Sequence, residues 1–161
     1  MRIHQIINDI DLDSGGAQKL AIQLHKFLSD LKLESFLVGT AKNKISDSSK
    51  VFYLEVKTPY SFKFILFLFN YIRNNVKPND IIHVHLFPSI FYISIFKFLG
   101  FTPKNIRILM TEHNSHNRRR SNLLGKFLDY FIYYNFDKII AISDGVKRSL
   151  SKQINNSKNI L

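Results

Sequence analysis

The chain has 161 residues, about one domain's worth, and 45% of them are apolar, as is usual for a globular protein. It contains no cysteine, which excludes a disulfide framework, thiolate metal sites and cysteine catalysis. The net charge of +11 indicates a polyanionic partner, such as nucleic acid, anionic lipid or a phosphorylated ligand, unless it only reflects a lysine-rich composition.

No targeting or membrane-spanning segment is expected. A signal peptide needs an uninterrupted apolar run of about 7–15 residues, and Asp9 and Asp11 arrive too early for that. The densest apolar stretch, residues 64–72, is much shorter than the roughly 20 residues that span a bilayer. We therefore expect a cytoplasmic protein, in which lipid contact is limited to a peripheral position at the inner face of the membrane.

Short apolar runs alternate with longer helical patterns. In chain order the sequence predicts strand 2–8, helix 17–31, strands 35–39 and 51–56, helix 59–76, strand 80–86, helix 88–100, strand 106–113, helix 122–135 capped by Ser121, strand 137–143, a helix from 144, and the start of a strand at 158–161. This alternation predicts an α/β fold: a Rossmann-like parallel sheet of about six or seven strands with helices on both faces.

In three of these helices the apolar pattern does not determine what the apolar residues pack against. In the helix 17–31, Leu20, Leu24, Phe27 and Leu31 lie on one face. Aromatic residues lie nearly all round the helix 59–76, which suggests burial on more than one side. The helix 122–135 combines aromatic residues with Lys126, a pattern that fits an anionic membrane surface, a second domain or ordinary core packing.

Ligands of open α/β sheets bind beyond the carboxyl ends of the strands, which selects residues 9–16, 83–88, 111–120 and 143–145. Gly15 and Gly16 directly precede a helix, where free N–H groups suit an anion or a hydroxyl-rich ligand. The alternative is a simple tight turn, and the pattern is neither GxGxxG nor a Walker loop.

Two further stretches offer chemistry at this edge. His83 and His85 share one face of a strand and either accept hydrogen bonds there or bind zinc with His113 or His116. Glu112 and His113 end a strand, and a neutral imidazole there can accept a proton or bind a hydroxyl. The arginines at 118–120 either bind phosphate or form a solvated basic loop.

Four motifs in this order resemble the N-terminal domain of GT-B glycosyltransferases of the family-4 type. They are GGAQKLAIQL, DIIHVHLF, ILMTEHN and DKIIAISDGVKRSL, and together they extend through nearly all of the chain. The resemblance implies a retaining sugar transferase with two Rossmann-like domains. The first domain binds the acceptor, a glycan or a lipid-linked sugar of the cell-surface polysaccharide type in bacteria, and the second binds a nucleotide-sugar.

The resemblance also implies roles for residues of this chain. Gly15 and Gly16 would line the cleft near the donor phosphates or the acceptor, His113 would contact the reacting sugar, and Ser143 would end a strand near the domain junction. His113 is then the candidate catalytic residue, and the candidate substrate-binding residues are Gly15, Gly16, His85, Glu112, Asn114, Arg118 and Ser143.

One departure from the family pattern limits this interpretation. The Glu-x7-Glu pair that holds the donor is missing, since the chain has only Glu34, Glu55 and Glu112. We therefore expect residues 1–161 to form the acceptor domain alone, inactive without a C-terminal donor domain or a partner chain. The resemblance implies that no metal or other cofactor takes part beside the nucleotide-sugar.

Two other classes of protein remain open. The charge of +11 and the arginine run would suit a basic nucleic-acid- or anion-binding module without catalysis, although no nucleic-acid motif supports this and a nucleic-acid partner is not expected. A flavodoxin-like regulatory domain would need an acidic pocket with a lysine, and the entry into the first helix through Gly15 and Gly16 does not fit it.

Overall fold

The structure, a computed structural model, describes residues 1–11, 15–41, 50–114, 122–152 and 160–161. Strands and helices alternate along most of the chain. They are β1 (Ile3–Asp9), α1 (Gly16–Asp30), β2 (Ser35–Ala41), β3 (Val51–Glu55), α2 (Phe62–Asn75), β4 (Ile81–His85), α3 (Ser89–Phe98), β5 (Arg107–Glu112), α4 (Leu123–Tyr134), β6 (Lys138–Ala141) and α5 (Asp144–Ser151).

The six strands form one parallel sheet in the order β3-β2-β1-β4-β5-β6. This is the strand order of the doubly wound Rossmann fold. Near the end of the chain, Ile160 forms a parallel bridge with Ile139, which confirms the expected start of a further strand. The predicted fold class is therefore confirmed.

The ends of two predicted helices were wrong by a few residues. The helix predicted from residue 59 begins at Phe62, because the side chain of Ser61 accepts a hydrogen bond from the backbone N–H of Phe64 and caps it. Asn122, rather than Ser121, caps α4 by accepting a hydrogen bond from Gly125 N at 2.7 Å. Ser121 itself lies outside the described residues.

The core lies on both faces of the sheet. Ile6 belongs to the larger cluster, which α2, α3, α4 and α5 cover. The next residue, Ile7, belongs to a smaller cluster under α1, which also includes Ala21 and Leu37. Because successive strand residues point to opposite faces, helices cover both faces of the sheet, as predicted.

The apolar stripes of α1 and α2 are only partly buried. α1 packs on the sheet through Gln18 and Ala21, whereas Leu20, Phe27 and Leu31 of the stripe are 41%, 59% and 56% exposed. On α2, the buried aromatic residues include Phe64 and Tyr71, but Phe62 is 70% exposed. No helix in the described part of the chain is both long and apolar enough to cross a bilayer.

A buried polar network joins β1 to β4 at the amino ends of the strands. The carboxylate of Asp80 accepts hydrogen bonds from the backbone and guanidinium of Arg2, from the backbone of Lys77 and from His4 Nε2. On its other side, His4 Nδ1 is 2.7 Å from the hydroxyl of Tyr71. This network holds the amino ends of the two central strands together.

Candidate functional site

The candidate site lies where the direction of strand addition reverses, between β1 and β4. β1 leads on to β2 on one side and β4 leads on to β5 on the other, so the loops after them separate and leave a crevice. Asn8 of β1 holds the loop that follows β4: its Nδ2 donates to Phe87 O at 2.6 Å, and its Oδ1 accepts from the backbone and the hydroxyl of Ser89.

An open cleft of about 600 Å³ lies at this edge of the sheet. Its wall on one side is the first two turns of α1, and its other wall is formed by the residues that follow β5 and β6. The lining residues are Gly16, Ala17, Gln18, Lys19, Leu20, Gln23, Leu86, His113, Asn114 and Ile142. Gly16 of the first motif and His113 of the third motif thus line the same cleft.

The two glycines at the start of α1 differ in whether backbone conformation and packing require glycine at that position. Gly15 has a φ of +149°, a conformation that other residues rarely adopt, and a Cβ there would lie 3.1 Å from Gln18 Oε1. At Gly16, no heavy atom of the described residues lies within 4 Å of a Cβ position. Packing among those residues therefore does not require glycine at position 16, and bare backbone faces the cleft.

Among the residues that the structure describes, no side chain caps the N-terminus of α1. Gly15 occupies the capping position, and the first turn contains no acidic residue. The amide of Gln18 instead donates to Asp9 Oδ2 at 3.3 Å, which ties the helix to the end of β1. The free backbone N–H groups of the first turn and the positive end of the helix dipole thus lie at the cleft and suit an anion.

Three histidines form a row that leads inward from the cleft. The rings of His113 and His85 are 5.8 Å apart, and those of His85 and His83 are 4.2 Å apart. His113 lines the cleft, whereas His85 is fully buried beneath it. Burial lowers the pKa of all three, that of His83 to about 4, and each lowered pKa keeps the imidazole neutral at pH 7.

Glu112 lies under the loop that carries Asn114. Its Oε1 accepts from the backbone N–H of Asn114 at 3.1 Å, and its Oε2 accepts from the hydroxyl of Tyr133 at 2.8 Å. The side chain is almost completely buried, next to a cavity of about 30 Å³ that is large enough for one water molecule. In this position Glu112 orients Asn114 and α4.

The remaining predicted site residues lie elsewhere. Ser143 caps α5 by accepting a hydrogen bond from Val146 N, and it does not line the cleft. Arg118 and His116 lie outside the described residues. Within the described ranges, no group of three His, Asp or Glu side chains is arranged to hold a metal ion.

Sequence reasoning missed several residues of this site. Gln5 and Asn8 are polar residues on either side of the apolar pair Ile6 and Ile7 in β1, and polar residues inside a strand are a signal that could have identified them. Leu20 was assigned to the apolar stripe of α1 but not to the cleft that it lines. Leu86, with a positive φ of 63°, lies within the predicted stretch 83–88 but is not singled out by its residue type, and Ile142 lies one residue before the predicted stretch 143–145.

The strand order and the cleft define a Rossmann-like α/β domain with an open cleft at its switch point. The family model described as Glycosyltransferase Family 4 matches residues 14–160, and the chain belongs to this family. No curated protein matches the chain.

Solved structures show the same fold at low identity. The lipopolysaccharide outer core galactosyltransferase WaaB in its apo form is 16% identical, with a TM-score of 0.63, over 100% of this chain and 44% of that one. The N-terminal domain of Candida albicans trehalose-6-phosphate phosphatase is 15% identical, with a TM-score of 0.68, over 94% of this chain and 42% of that one. The chain therefore spans less than half the length of these structures.

A third similar structure is an alpha-glucosyltransferase in complex with UDP and a 13-mer DNA. It is 18% identical to this chain, with a TM-score of 0.52, over 89% of this chain and 37% of that one. At these identities the likeness concerns the fold.

Proposed function

We propose that this chain is the acceptor-binding half of a glycosyltransferase that moves a sugar from a nucleotide-sugar to a glycan or a lipid-linked acceptor. The observation that carries the proposal is the shared cleft of Gly16, His113 and Asn114 at the uncapped start of α1, in a chain of Glycosyltransferase Family 4. An acceptor of the cell-surface polysaccharide type in bacteria fits the likeness to a lipopolysaccharide galactosyltransferase.

Each part of the cleft fits one requirement of sugar transfer. The leaving group is a phosphate, and the backbone N–H groups at the start of α1 are placed to stabilise its negative charge. The reacting sugar centre becomes cation-like, and a neutral His113 binds a sugar hydroxyl without adding a repelling positive charge. Asn114 adds an amide side chain beside His113 in the same cleft.

The proposal also requires a second domain or a partner chain that binds the nucleotide-sugar. The solved neighbours are more than twice as long as the matched part, which supports a C-terminal domain or a partner chain that holds the nucleotide-sugar. We propose that transfer needs no metal ion, and that Gly15, His85, Glu112, Arg118 and Ser143 serve the substrate site either by contact or by holding the residues that touch it.

We also propose peripheral contact with the inner face of an anionic membrane through α4. Five apolar or aromatic residues of this helix are at least 61% exposed: Leu123, Leu124, Phe127, Tyr130 and Tyr134. Lys126 lies among them, and the helix's one acidic residue, Asp129, is only 4% exposed. The exposed face is thus apolar and positive, as a surface that rests on anionic lipid requires.

Titration of the isotope-labelled chain with galactose 1-phosphate, followed by backbone amide NMR, tests the sugar and phosphate contacts proposed for the cleft. We expect shifts at Gly16, Ala17, His113 and Asn114, and loss of these shifts in Gly16→Val, whose side chain would occupy the cleft. Gly145→Ala is the control, because a Cβ there meets only the hydroxyl of Ser143 at 3.7 Å.

Two results would contradict the proposed division of labour. One is tight binding of UDP-galactose by this chain alone, with a Kd of about 1 μM or below, because the donor pocket belongs to the missing half. The other is DNA binding that weakens steeply with salt while galactose 1-phosphate leaves the cleft amides unchanged, which would favour a basic nucleic-acid-binding module.

A further inference from the structure

A buried glutamine of β1 contacts the middle histidine of the row beneath the cleft. Gln5 is 1% exposed, and its Oε1 lies 3.0 Å from Nε2 of the fully buried His85. On the side of the cleft, the ring of His85 is 5.8 Å from that of His113. His85 thus lies between a buried amide of β1 and the histidine that lines the cleft.

The chemistry of this contact fixes which nitrogen of His85 carries the proton. In the structure the amide of Gln5 turns its oxygen toward His85, and an amide oxygen can only accept a hydrogen bond, so with this orientation Nε2 of His85 is the N–H donor. A neutral imidazole has one N–H and one lone pair, so Nδ1 of His85 is an acceptor. Nδ1 is buried and, among the described residues, has no hydrogen-bond partner.

His113 also has a buried ring nitrogen without a hydrogen-bond partner among the described residues. Its Nε2 is buried and has no hydrogen-bond partner within the described part of the chain, although the residue lines the open cleft. Two adjacent imidazoles therefore each have one enclosed, unpaired nitrogen. Leaving both unpaired is costly, since a buried polar atom without a partner typically loses about 1–3 kcal/mol.

We propose that His85 is a positioning residue for His113: Nδ1 of His85 accepts the Nε2–H of His113, directly or through one water molecule, and so fixes the His113 tautomer. The lone pair of His113 is then on Nδ1, the ring nitrogen that this hydrogen bond does not use. Gln5 sets the direction of this chain of hydrogen bonds, because its oxygen accepts from His85.

The fixed tautomer decides what His113 recognises. An imidazole lone pair accepts a hydrogen bond from a hydroxyl and is repelled by a phosphate oxygen, so His113 selects a sugar hydroxyl, while phosphate remains at the start of α1. This consequence rests on the proposed function, whereas the tautomer itself does not. Burial supports a neutral row, since it lowers the pKa of His83, His85 and His113 alike.

Histidine tautomers are read directly from the ¹⁵N shifts and two-bond couplings of the imidazole rings. In the unmodified chain at pH 7.5 we expect both His85 and His113 as the Nε2–H form. In His85→Phe, which removes the acceptor, the His113 signals should shift toward a mixture of the two tautomers. Ser35→Ala is the matched control: it removes the partner of another histidine, His25, and should leave His113 unchanged.

The unmodified chain decides the question even if a variant fails to fold. An Nδ1–H form of His113 in that chain would overturn the proposal, as would an unchanged His113 tautomer in folded His85→Phe. A second variant, Gln5→Met, keeps the side-chain length and should release the His85 tautomer. If the tautomers are as expected but galactose 1-phosphate does not perturb the cleft, the proposed function fails and the positioning role of His85 stands.

Discussion

The hydroxyl of Tyr133 donates a hydrogen bond to the carboxylate of Glu112 at 2.8 Å, and this contact joins α4 to the carboxyl end of β5. Because Glu112 also accepts from the backbone of Asn114, the bond fixes the loop that forms one wall of the cleft. A single buried contact thus connects the position of a surface helix to the geometry of the site.

Removal of that hydroxyl should destabilise the protein. Tyr133→Phe removes one hydrogen bond to a buried carboxylate, and we expect the free energy of unfolding to fall by about 1–3 kcal/mol. Tyr134→Phe is the control, because Tyr134 is 80% exposed and should cost almost nothing. Urea unfolding of the two variants checks this, and equal stabilities would contradict the structural role of the bond.

Gly39 and Gly16 should respond in opposite ways to alanine. A Cβ at Gly39 would lie 2.7 Å from Ile7 O and 3.0 Å from Ile10 Cγ2, so β1 and β2 would have to separate. We expect Gly39→Ala to lower the free energy of unfolding by about 1–3 kcal/mol. Gly16→Ala meets no described atom and should be neutral or slightly stabilising in thermal unfolding. A neutral Gly39→Ala would show that the strands have room to adjust.

The buried histidines should make the fold sensitive to mild acid. The pKa of His83 is lowered to about 4, against about 6.5 when unfolded, so the unfolded chain takes up the proton first. Its contribution to stability is complete above pH 6.5 and is lost as the pH falls toward 4. By this linkage His83 alone should lower the free energy of unfolding by about 2 kcal/mol between pH 8 and pH 5.

Urea unfolding at pH 8 and pH 5 measures this loss, and His83→Gln serves as the comparison. The glutamine can still bond to Thr111, which lies 2.7 Å from His83 Nε2, but it does not titrate. The variant should therefore lose less stability between the two pH values than the unmodified chain. An equal loss in both would show that other groups cause the acid sensitivity.

Asp80→Asn should be among the most damaging polar substitutions at the amino ends of the strands. Burial alone would raise the pKa of Asp80, but hydrogen bonds from Arg2, Lys77 and His4 outweigh it and hold the pKa well below the usual range. Its stabilising effect is thus present above about pH 4 and is lost in stronger acid. We expect Asp80→Asn to cost about 3–5 kcal/mol at pH 7, because it leaves Arg2 without its charge partner.

Chemical unfolding at pH 7 measures that cost. Asp30→Asn, at the exposed end of α1, removes the same charge without a buried partner and should cost nothing. If both variants lose the same small amount, net charge rather than the buried network would account for the effect.

The exposed face of α4 should control binding to lipid. Phe127→Ser should weaken binding to phosphatidylglycerol vesicles about tenfold, as expected from the loss of part of an apolar side chain's burial. Phe62→Ser, at an equally exposed position on α2, is the control. Vesicle co-sedimentation at low salt makes the comparison. Equal binding by both variants, or equal binding to neutral phosphatidylcholine, would exclude α4 as the anionic lipid surface.

The sequence predicts the order and type of the elements well but not the environment of their faces. The bounds of β4 and α3 are predicted to within one or two residues, because the spacing of apolar residues in these elements reflects their local backbone geometry. In α1 the same spacing indicates an apolar stripe, but the structure buries Gln18 and leaves Phe27 exposed. Spacing tells which residues share a face and not what covers it.

For the candidate site as well, the sequence predicts what depends on local motifs and not what depends on contacts between distant residues. Gly16 and His113 could be identified from motifs, because glycines before a helix and a histidine after a strand are local signals. The partnership of Gln5 with His85 joins residues 80 positions apart and depends on the pairing of β1 with β4. No local pattern carries that information.

The central position of β1 also bears on how the protein forms during synthesis. β1 is synthesised before both of its neighbours, β2 and β4, and the second of these begins only at Ile81. Until then one edge of the nascent sheet remains unpaired, and an unpaired apolar strand edge is a template for aggregation. Shielding of this edge during the synthesis of β2, β3 and α2 would therefore reduce aggregation of the nascent chain.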